Sequence, residues 1–412
     1  MTLRRNVTAQ LSAALVTGVL LITGCTRNGE RADGGKPAPA AGAESPVPHG
    51  YVEGAEETAE PQPRLLLNDP GSGGSRVLDL VTGAVTETAA VKDTVRIGAD
   101  GRFGYFHGPG GTRVLDGGSW TVDHGDHAHH YRADIRGVGL IPGREDTRVR
   151  GDAAVTAVTD GNGRAALYDR PGLEKGRLGT PRALPGTFRG AVVPYAGHLV
   201  TLTGEGGTAR LAVLDRKGQR VAAPDAECRE PGGDAVTRRG AVLNCADGAL
   251  LVREKDGAFS VERIPYKGTV PERERAGEFR YRPGGDTLTA LAESGAVWVL
   301  DVTERTWTRV ETGPVLAVNT AGEGSPLLAL APDGTLHGWD TGTGKRVART
   351  KALLTGRLPA DRAPVIEVDR SRAYVNDPRG RRVLEIDYND GLRVARAFAL
   401  DIEPELMAET GR

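Results

Sequence analysis

The chain has 412 residues with 53 basic and 54 acidic side chains, which gives a formal net charge of −1 at pH 7. This balance excludes a protein drawn to nucleic acid by a global positive field, and we expect no nucleic-acid partner. Its 58 glycines are about twice the usual share of ~7%, whereas aromatic residues make up only 5%. Many tight turns between short apolar runs favour an all-β fold and exclude a protein of long helices.

The first 24 residues have the pattern of a lipoprotein signal peptide. Arg4 and Arg5 precede the short apolar run Leu11–Ile22, and the sequence Leu-Ile-Thr-Gly leads directly into Cys25. A small residue before a cysteine at this point is typical of the bacterial lipobox, in which the cysteine thiol receives a diacylglycerol. A transmembrane anchor is the alternative, but it needs about 20 apolar residues, and the run Leu11–Ile22 is well short of that. We therefore expect an extracytoplasmic protein that is held to the cell membrane by lipid on Cys25 alone.

Residues 25–63 are expected to be the lipidated cysteine followed by a disordered tether. The segment is rich in Ala, Gly, Pro and Glu and contains almost no branched apolar residue that could pack. The folded domain is expected to begin near Arg64 and to occupy residues 64–412.

One pattern recurs along this domain: a short apolar strand that ends in an acidic residue, followed by a turn and a second strand. The mean spacing of the acids is about 44 residues, which is typical of a β-propeller. Eight blades fit best and seven are possible, with a ring closed by terminal strands, for which residues 397–402 are the candidate. We interpret the acids as turn-capping residues rather than catalytic groups. They are Asp79, Asp116, Asp169, Asp215, Asp301, Asp340 and Asp387.

The stretch from Trp120 to Tyr131 contains four of the eight histidines of the chain. Imidazole is a common zinc ligand, and carboxylates can complete such sites or accept the second ring N–H of a ligating histidine. The spacing of His124, His127 and His129 allows their rings to converge on one ion, and Asp126 is a further candidate ligand. The sequence therefore predicts a zinc site here, while a solvated polar loop remains the alternative.

Two cysteines remain in the folded part of the chain. Cys228 and Cys245 form an even pair in a protein expected in an oxidising compartment, which favours a disulfide. A pair of metal thiolates is the alternative, although no CxxC spacing is present.

The string LDGGSWTVDHGDHAHHY resembles a segment of the periplasmic zinc metallochaperones that accompany Azt-type zinc ABC transporters (AztD-like proteins). A weaker resemblance extends over residues 64–400 and includes the two cysteines. It implies a propeller that binds Zn²⁺ and delivers it to the solute-binding protein of the transporter. Carried over by position, the ligand candidates are His124, Asp126, His127 and His129.

Two features depart from the family pattern. The tether contains only His49 in place of a histidine-rich segment, and residues 229–234 lack the histidine that follows the first cysteine in the family. His107 and His198 are the substitutes that we consider for the missing ligand.

Three functions follow from these observations. The first is a lipid-anchored, monomeric zinc metallochaperone without enzymatic activity. The second is an envelope interaction platform whose histidine loop has no metal function. The third, an envelope hydrolase with a catalytic zinc, would need an activated water beside three protein ligands. The sequence contains no nucleophile elbow, P-loop or HExxH motif.

Overall fold

The computed structural model of the protein describes residues 50–124, 127–204, 207–356 and 363–412. Its main compact unit is Pro48–Arg412. Within the described ranges the helices are the short α1 (Arg170–Glu174) and one 3₁₀ turn (Glu272–Glu274), and no helix there is long and apolar enough to cross a membrane. The prediction of an all-β fold is confirmed.

The first two sheets are each four-stranded and antiparallel, with strands numbered in chain order. Sheet 1 consists of β36 (Leu406–Thr410), β2 (Arg64–Asn68), β3 (Ser75–Asp79) and β4 (Val85–Glu87). Sheet 2 consists of β5 (Arg96–Ala99), β6 (Phe103–Gly108), β7 (Gly111–Asp116) and β10 (Arg136–Ile141). A separate three-stranded sheet is formed by β1 (Glu56–Thr58), β9 (Ala128–Arg132) and β8 (Ser119–Asp123).

Six further antiparallel sheets follow in chain order. Sheet 3 is β11 (Arg148–Gly151), β12 (Val155–Thr159), β13 (Ala165–Asp169) and β14 (Arg182–Ala183). Sheet 4 is β15 (Val193–Tyr195), β16 (His198–Thr203), β17 (Thr208–Leu214) and β18 (Arg220–Ala222), with β19 (Glu227–Arg229) also paired to β17. Sheet 5 is β20 (Asp234–Thr237), β21 (Gly240–Cys245), β22 (Gly248–Lys255) and β23 (Ala258–Pro265).

The last three sheets repeat the same strand order. Sheet 6 is β24 (Phe279–Arg280), β25 (Thr287–Leu291), β26 (Val297–Asp301) and β27 (Thr306–Val310). Sheet 7 is β28 (Ala317–Thr320), β29 (Leu327–Leu330), β30 (Thr335–Trp339) and β31 (Arg346–Ala352). Sheet 8 is β32 (Ile366–Val368), β33 (Ala373–Asp377), β34 (Arg382–Asp387) and β35 (Arg393–Ala399).

The repeated acids mark the third strand of seven of these sheets, and each caps the turn that follows. The Asp79 carboxylate accepts backbone N–H groups of Val81 and Thr82, at 3.1 and 2.9 Å. Asp215 accepts those of Lys217 and Gln219 in the same way. The same capping role is shown by Asp116, Asp169, Asp301, Asp340 and Asp387. The interpretation of these acids as structural groups is confirmed.

The apolar core is divided among the interfaces between consecutive sheets. Leu66 and Val77 of sheet 1 pack with Ile97 and Phe106 of sheet 2, and comparable clusters join each following pair. A further cluster packs Tyr374 and Val383 of sheet 8 against Leu65 and Leu78 of sheet 1. The repeated strand order, with an apolar cluster between each pair of consecutive sheets, is consistent with a β-propeller.

The first strands of seven sheets surround a cavity of about 210 Å³, here named the inner cavity. It is lined by residues of β5, β11, β20, β24, β28, β32 and β36. Residues from the first strands of these seven sheets therefore line one cavity, although they lie far apart in the sequence.

Two expectations about the ends of the chain need correction. Residues 397–402 do not pair with β2, because residues up to Ala399 belong to β35 and pair with β34. The partner of β2 is β36, whose residues Met407–Thr410 are buried, as an inner strand requires. In addition, part of the expected tether is structured, because β1 hydrogen-bonds to the edge of β9. Residues 1–49, including the expected signal peptide and Cys25, lie outside the described residues.

Candidate metal centre

The histidine-rich stretch forms a β-hairpin that interrupts sheet 2. Strands β8 and β9 lie in the connection between β7 and β10, the third and fourth strands of that sheet. They pair with each other and with β1 rather than with sheet 2. The hairpin is therefore an addition to the repeated four-stranded unit.

An aromatic pair and a buried arginine anchor the base of the hairpin. The rings of Trp120 and Tyr131, which are opposite each other in the register, stack with centroids 5.3 Å apart. The Arg102 guanidinium lies 3.7 Å from the Trp120 ring centroid and forms two hydrogen bonds to Asp116, at 3.0 and 2.8 Å. The Trp120 indole N–H also donates to the Gly50 carbonyl at 3.1 Å. The base is thus fixed to the end of β7.

The strand register brings three histidines onto one face at the other end of the hairpin. Val122 is opposite His129, Asp123 is opposite Ala128, and the backbone N–H of His124 donates to the His127 carbonyl at 2.9 Å. Because opposite residues share a face and successive residues alternate, His124, His127 and His129 lie together. One ligand nitrogen from each lies within 4.8 Å of the others.

The rings of this triad are close together and open to solvent. The ring centroids are 4.8 Å apart for His124 and His127, 5.4 Å for His124 and His129, and 5.1 Å for His127 and His129. His124 and His127 are exposed and His129 is half-buried. Asp126, the fourth candidate from the stretch, lies outside the described residues.

Glu57, in the segment expected to be a tether, orients one ring of the triad. Its carboxylate lies 2.7 Å from Nδ1 of His129. When Nδ1 carries the proton and donates to Glu57, Nε2 of His129 is free to bind a metal. Glu57 has no local sequence signal, because its position depends on the β1–β9 pairing of two segments that are far apart in the chain.

His130 lies on the opposite face of the hairpin and does not join the triad. Its Nδ1 is 3.0 Å from the Thr121 hydroxyl, and its carbonyl accepts from the Thr58 hydroxyl at 3.3 Å. Burial lowers the pKa of His130, and the nearby Arg370 guanidinium lowers it further. His130 is therefore a suitable control for substitutions of the triad, because it lies on the same strand as His129 but on the opposite face.

The two substitute histidines lie elsewhere and are not part of the triad. His107 is buried on β6, with Nδ1 2.9 Å from the Thr112 hydroxyl. Burial, with smaller contributions from Arg96 and Arg150, lowers its pKa to about 3. His198 begins β16, contacts the Ala196 carbonyl through Nδ1 at 2.9 Å and meets the Phe259 ring edge-on.

The predicted disulfide between Cys228 and Cys245 is present, with Cα atoms 5.2 Å apart. It joins β19 of sheet 4 to β21 of sheet 5, and both cysteines are buried in the cluster between these sheets. Both residues are therefore occupied in a covalent link and do not serve as metal thiolates.

The fold can be compared with known proteins at the level of architecture. No protein-family model matches the chain, and no curated protein matches it. Among solved structures, dihydro-heme d1 dehydrogenase NirN in complex with DHE matches with a TM-score of 0.54 and 14% identity, over 86% of this chain and 76% of that one.

A higher similarity is found to AztD from Citrobacter koseri. One AztD structure has a TM-score of 0.69 and 18% identity, covering 86% of this chain and 99% of AztD. The apo form has a TM-score of 0.71 and 18% identity, covering 85% of this chain and 98% of AztD. The chain therefore has an AztD-like fold, over nearly the full length of that protein.

Proposed function

We propose that this protein is a zinc metallochaperone that binds Zn²⁺ through His124, His127 and His129 and delivers it to the solute-binding protein of a zinc ABC transporter. The observation that carries the proposal is the convergence of three imidazoles at the exposed end of a hairpin that is added to an AztD-like fold. Neutral imidazole nitrogen is a preferred zinc ligand.

Small side-chain movements would complete the site. Zinc–nitrogen bonds of about 2.0–2.1 Å in tetrahedral geometry place ligand nitrogens about 3.4 Å apart. The triad nitrogens lie within 4.8 Å of one another, and the two outer rings are exposed, so rotation of these rings can close the difference without moving the strands. Glu57 would hold His129 in the tautomer that presents Nε2.

The open geometry favours transfer over storage. Three protein ligands leave a fourth position for water, for Asp126 or for a ligand from a partner. A partner ligand that enters this position can replace the histidines one at a time, so that the ion never returns fully to water. We therefore favour a delivery role without catalysis.

We propose that residues 1–24 are removed as a signal peptide and that lipid on Cys25 anchors an extracytoplasmic monomer. The disulfide is typical of such a compartment.

We also propose that sheets 1–8 are the blades of an eight-bladed ring closed by β36. The β2–β36 pairing and the apolar cluster between sheets 8 and 1 support this.

Zinc titration tests the site. The untagged full chain in detergent solution is titrated with Zn²⁺ against a chromophoric chelator, beside a His124→Ala/His127→Ala/His129→Ala variant. We expect one tight equivalent in the wild type and at least a hundredfold weaker binding in the triple variant. His130→Ala is the matched control, because it removes an imidazole from the same strand but the opposite face, and it should retain the tight equivalent.

The delivery step needs a second assay. Zinc-loaded protein is mixed with an apo solute-binding protein from a zinc ABC transporter, and transfer is measured with and without excess chelator. Transfer that persists under the chelator supports direct handover. Absence of tight zinc in the wild type would instead favour the interaction platform, and loss of zinc in His130→Ala alone would contradict the assigned face.

A further inference from the structure

The inner cavity has an excess of positive charge. Five arginines line it, and they come from β5, β11, β24 and the end of the chain: Arg96, Arg148, Arg150, Arg280 and Arg412. Four carboxyl groups line it with them: Asp234, Glu278, Glu367 and Glu409. Because these groups line one cavity, the pairing of their charges decides what else the cavity can bind.

The carboxylates are used by three of the arginines. Arg150 forms two hydrogen bonds to Asp234, one of them 3.1 Å long. The Arg412 guanidinium donates to Glu367 at 2.8 Å.

Arg148 has a weaker partner. Its Nη1 lies 3.7 Å from Glu278 Oε1. These pairs hold three guanidinium groups in place.

The other two arginines have no carboxylate partner among the described residues. Arg96 donates to the carbonyl oxygens of Thr147 and Glu145, at 2.8 and 3.3 Å. Arg280 makes no hydrogen bond or ion pair through its guanidinium within the described part of the chain. Burial lowers the pKa of Arg96, and Arg150, Arg148 and Arg280 lower it further against the opposing effect of Glu278. The cavity thus holds like charges that the protein does not neutralise.

Glu409 does not supply the missing negative charge. Its side chain is fully buried, and neither carboxyl oxygen forms a hydrogen bond to a described residue. The nearest cation is Arg412, whose Nε lies 3.4 Å from Oε2. Burial raises the pKa of Glu409 to about 8 despite this arginine. At neutral pH the carboxyl group is therefore mainly protonated and adds little negative charge to the cavity.

We propose that the inner cavity is a binding site for a compact dianion, with Arg96 and Arg280 as its principal ligands. The two guanidinium groups without carboxylate partners match a dianion in charge, and the planar guanidinium fork matches its oxygens in geometry. The volume of about 210 Å³ corresponds to about seven waters at ~30 Å³ each. This is enough for a tetrahedral oxyanion or a short dicarboxylate.

Calorimetry on the full chain in detergent solution tests the site, with Hepes buffer and no added zinc. Separate titrations use phosphate, sulfate and succinate, with acetate and chloride as monovalent controls. We expect one dianion per protein, and at least tenfold weaker binding of either monovalent ion. Tighter binding of phosphate and sulfate identifies an inorganic oxyanion, whereas tighter binding of succinate identifies a dicarboxylate.

Variants assign the ligands. Arg280→Ala removes an exposed side chain on a sheet strand and should weaken dianion binding at least tenfold, with an unchanged far-ultraviolet circular dichroism spectrum. Arg96→Ala gives the same test from a different sheet. Arg349→Ala is the control, because this arginine is also exposed on a strand but belongs to β31, outside the cavity.

Three results would overturn the proposal: no dianion binding to the wild type, equal binding of acetate or chloride, or full affinity in Arg280→Ala. The triple histidine variant should bind the dianion as the wild type does. Failure of the zinc site and failure of the anion site are therefore distinguishable.

Discussion

The third-to-fourth strand connections of sheets 2 and 6 begin with the same capping interaction but have different contents. In sheet 6, the Asp301 carboxylate accepts the Glu304 N–H at 2.8 Å, and β27 begins directly after residue 305. In sheet 2, Asp116 accepts the Gly118 N–H at 3.0 Å, but residues 117–135 then form the β8–β9 hairpin before β10 begins. The repeated unit thus contains a capped turn, and the insertion at one such turn contains the three candidate zinc ligands.

The largest expected loss of stability comes from removing the arginine that pairs with Asp116, the capping acid of sheet 2. Arg102→Met removes a buried guanidinium and leaves the buried Asp116 carboxylate with the Gly118 N–H and, among the ion pairs of the described residues, the longer contact to Arg136 at 3.3 Å. Loss of one partner of a buried ion pair costs about 3–5 kcal/mol. We expect the free energy of unfolding, measured by urea denaturation, to fall by about 3 kcal/mol.

Arg305→Met is the matched change in sheet 6. Arg305 is partly exposed and pairs with Glu262 at 3.1 Å, so its removal should cost less than ~1 kcal/mol. Equal losses in the two variants would mean that the hairpin base is no more rigidly anchored than an ordinary turn.

A second prediction concerns the pH dependence of stability and a buried carboxyl group on β36, the strand that ends beside the hairpin. The Thr121 hydroxyl donates to the Gly411 carbonyl, two residues after Glu409. Since the pKa of Glu409 is about 8 in the folded protein and ~4.5 in the unfolded chain, the folded state retains a proton that the unfolded state releases between these values. Stability is therefore lost as the pH rises through this window, by up to ~1.4 kcal/mol per unit.

Glu409→Gln cannot titrate and isolates this contribution. Urea denaturation of both proteins at pH 5, 6.5 and 8 should show the variant gaining stability relative to the wild type as the pH rises. Other groups titrate in both proteins and cancel in the difference. A difference that stays constant with pH would place the pKa of Glu409 in the ordinary range.

Two adjacent glutamates give a sharper test of the hairpin itself. Glu57 contacts His129 at 2.7 Å, whereas Glu56 pairs with Arg132 at 2.7 Å, away from the triad. Loss of a carboxylate that orients a metal-binding histidine typically lowers metal affinity ~10–100-fold. We expect Glu57→Ala to weaken zinc binding by such a factor in the chelator competition assay. Glu56→Ala should leave the affinity within about twofold, and equal effects would point to general acidity of β1 rather than orientation of His129.

The repeated sheets and the histidine hairpin could both be predicted from the sequence, because their main signals are local. The acid at the end of the third strand, present in seven of the sheets, is a local signal, because Asp79 or Asp301 caps a turn within three residues of itself. The triad is nearly as local, since one hairpin contains all three histidines. These features could be read from spacing and residue type alone.

Glu57 and the inner cavity depend on contacts that are distant in sequence. Glu57 reaches His129 only because β1 adds to the edge of β9, and three strand residues in a polar segment give little signal of their own. Arg96 and Arg280 line the same cavity only because separate sheets direct their first strands toward it. Sequence spacing contains no information on such pairings until the order of the sheets is known.

The smallest expected effect tests whether scaffold and site are separable. Asp301→Ala removes the cap of the sheet-6 turn, and loss of one such hydrogen bond costs about 1 kcal/mol. We expect this loss in urea denaturation and no change in zinc affinity, because the turn contains none of the triad residues. The triple histidine variant should show the reverse, since its two most exposed side chains contribute little packing. A change in zinc affinity for Asp301→Ala would mean that the sheets transmit local strain to the hairpin, so that the insertion and the repeat act as one unit.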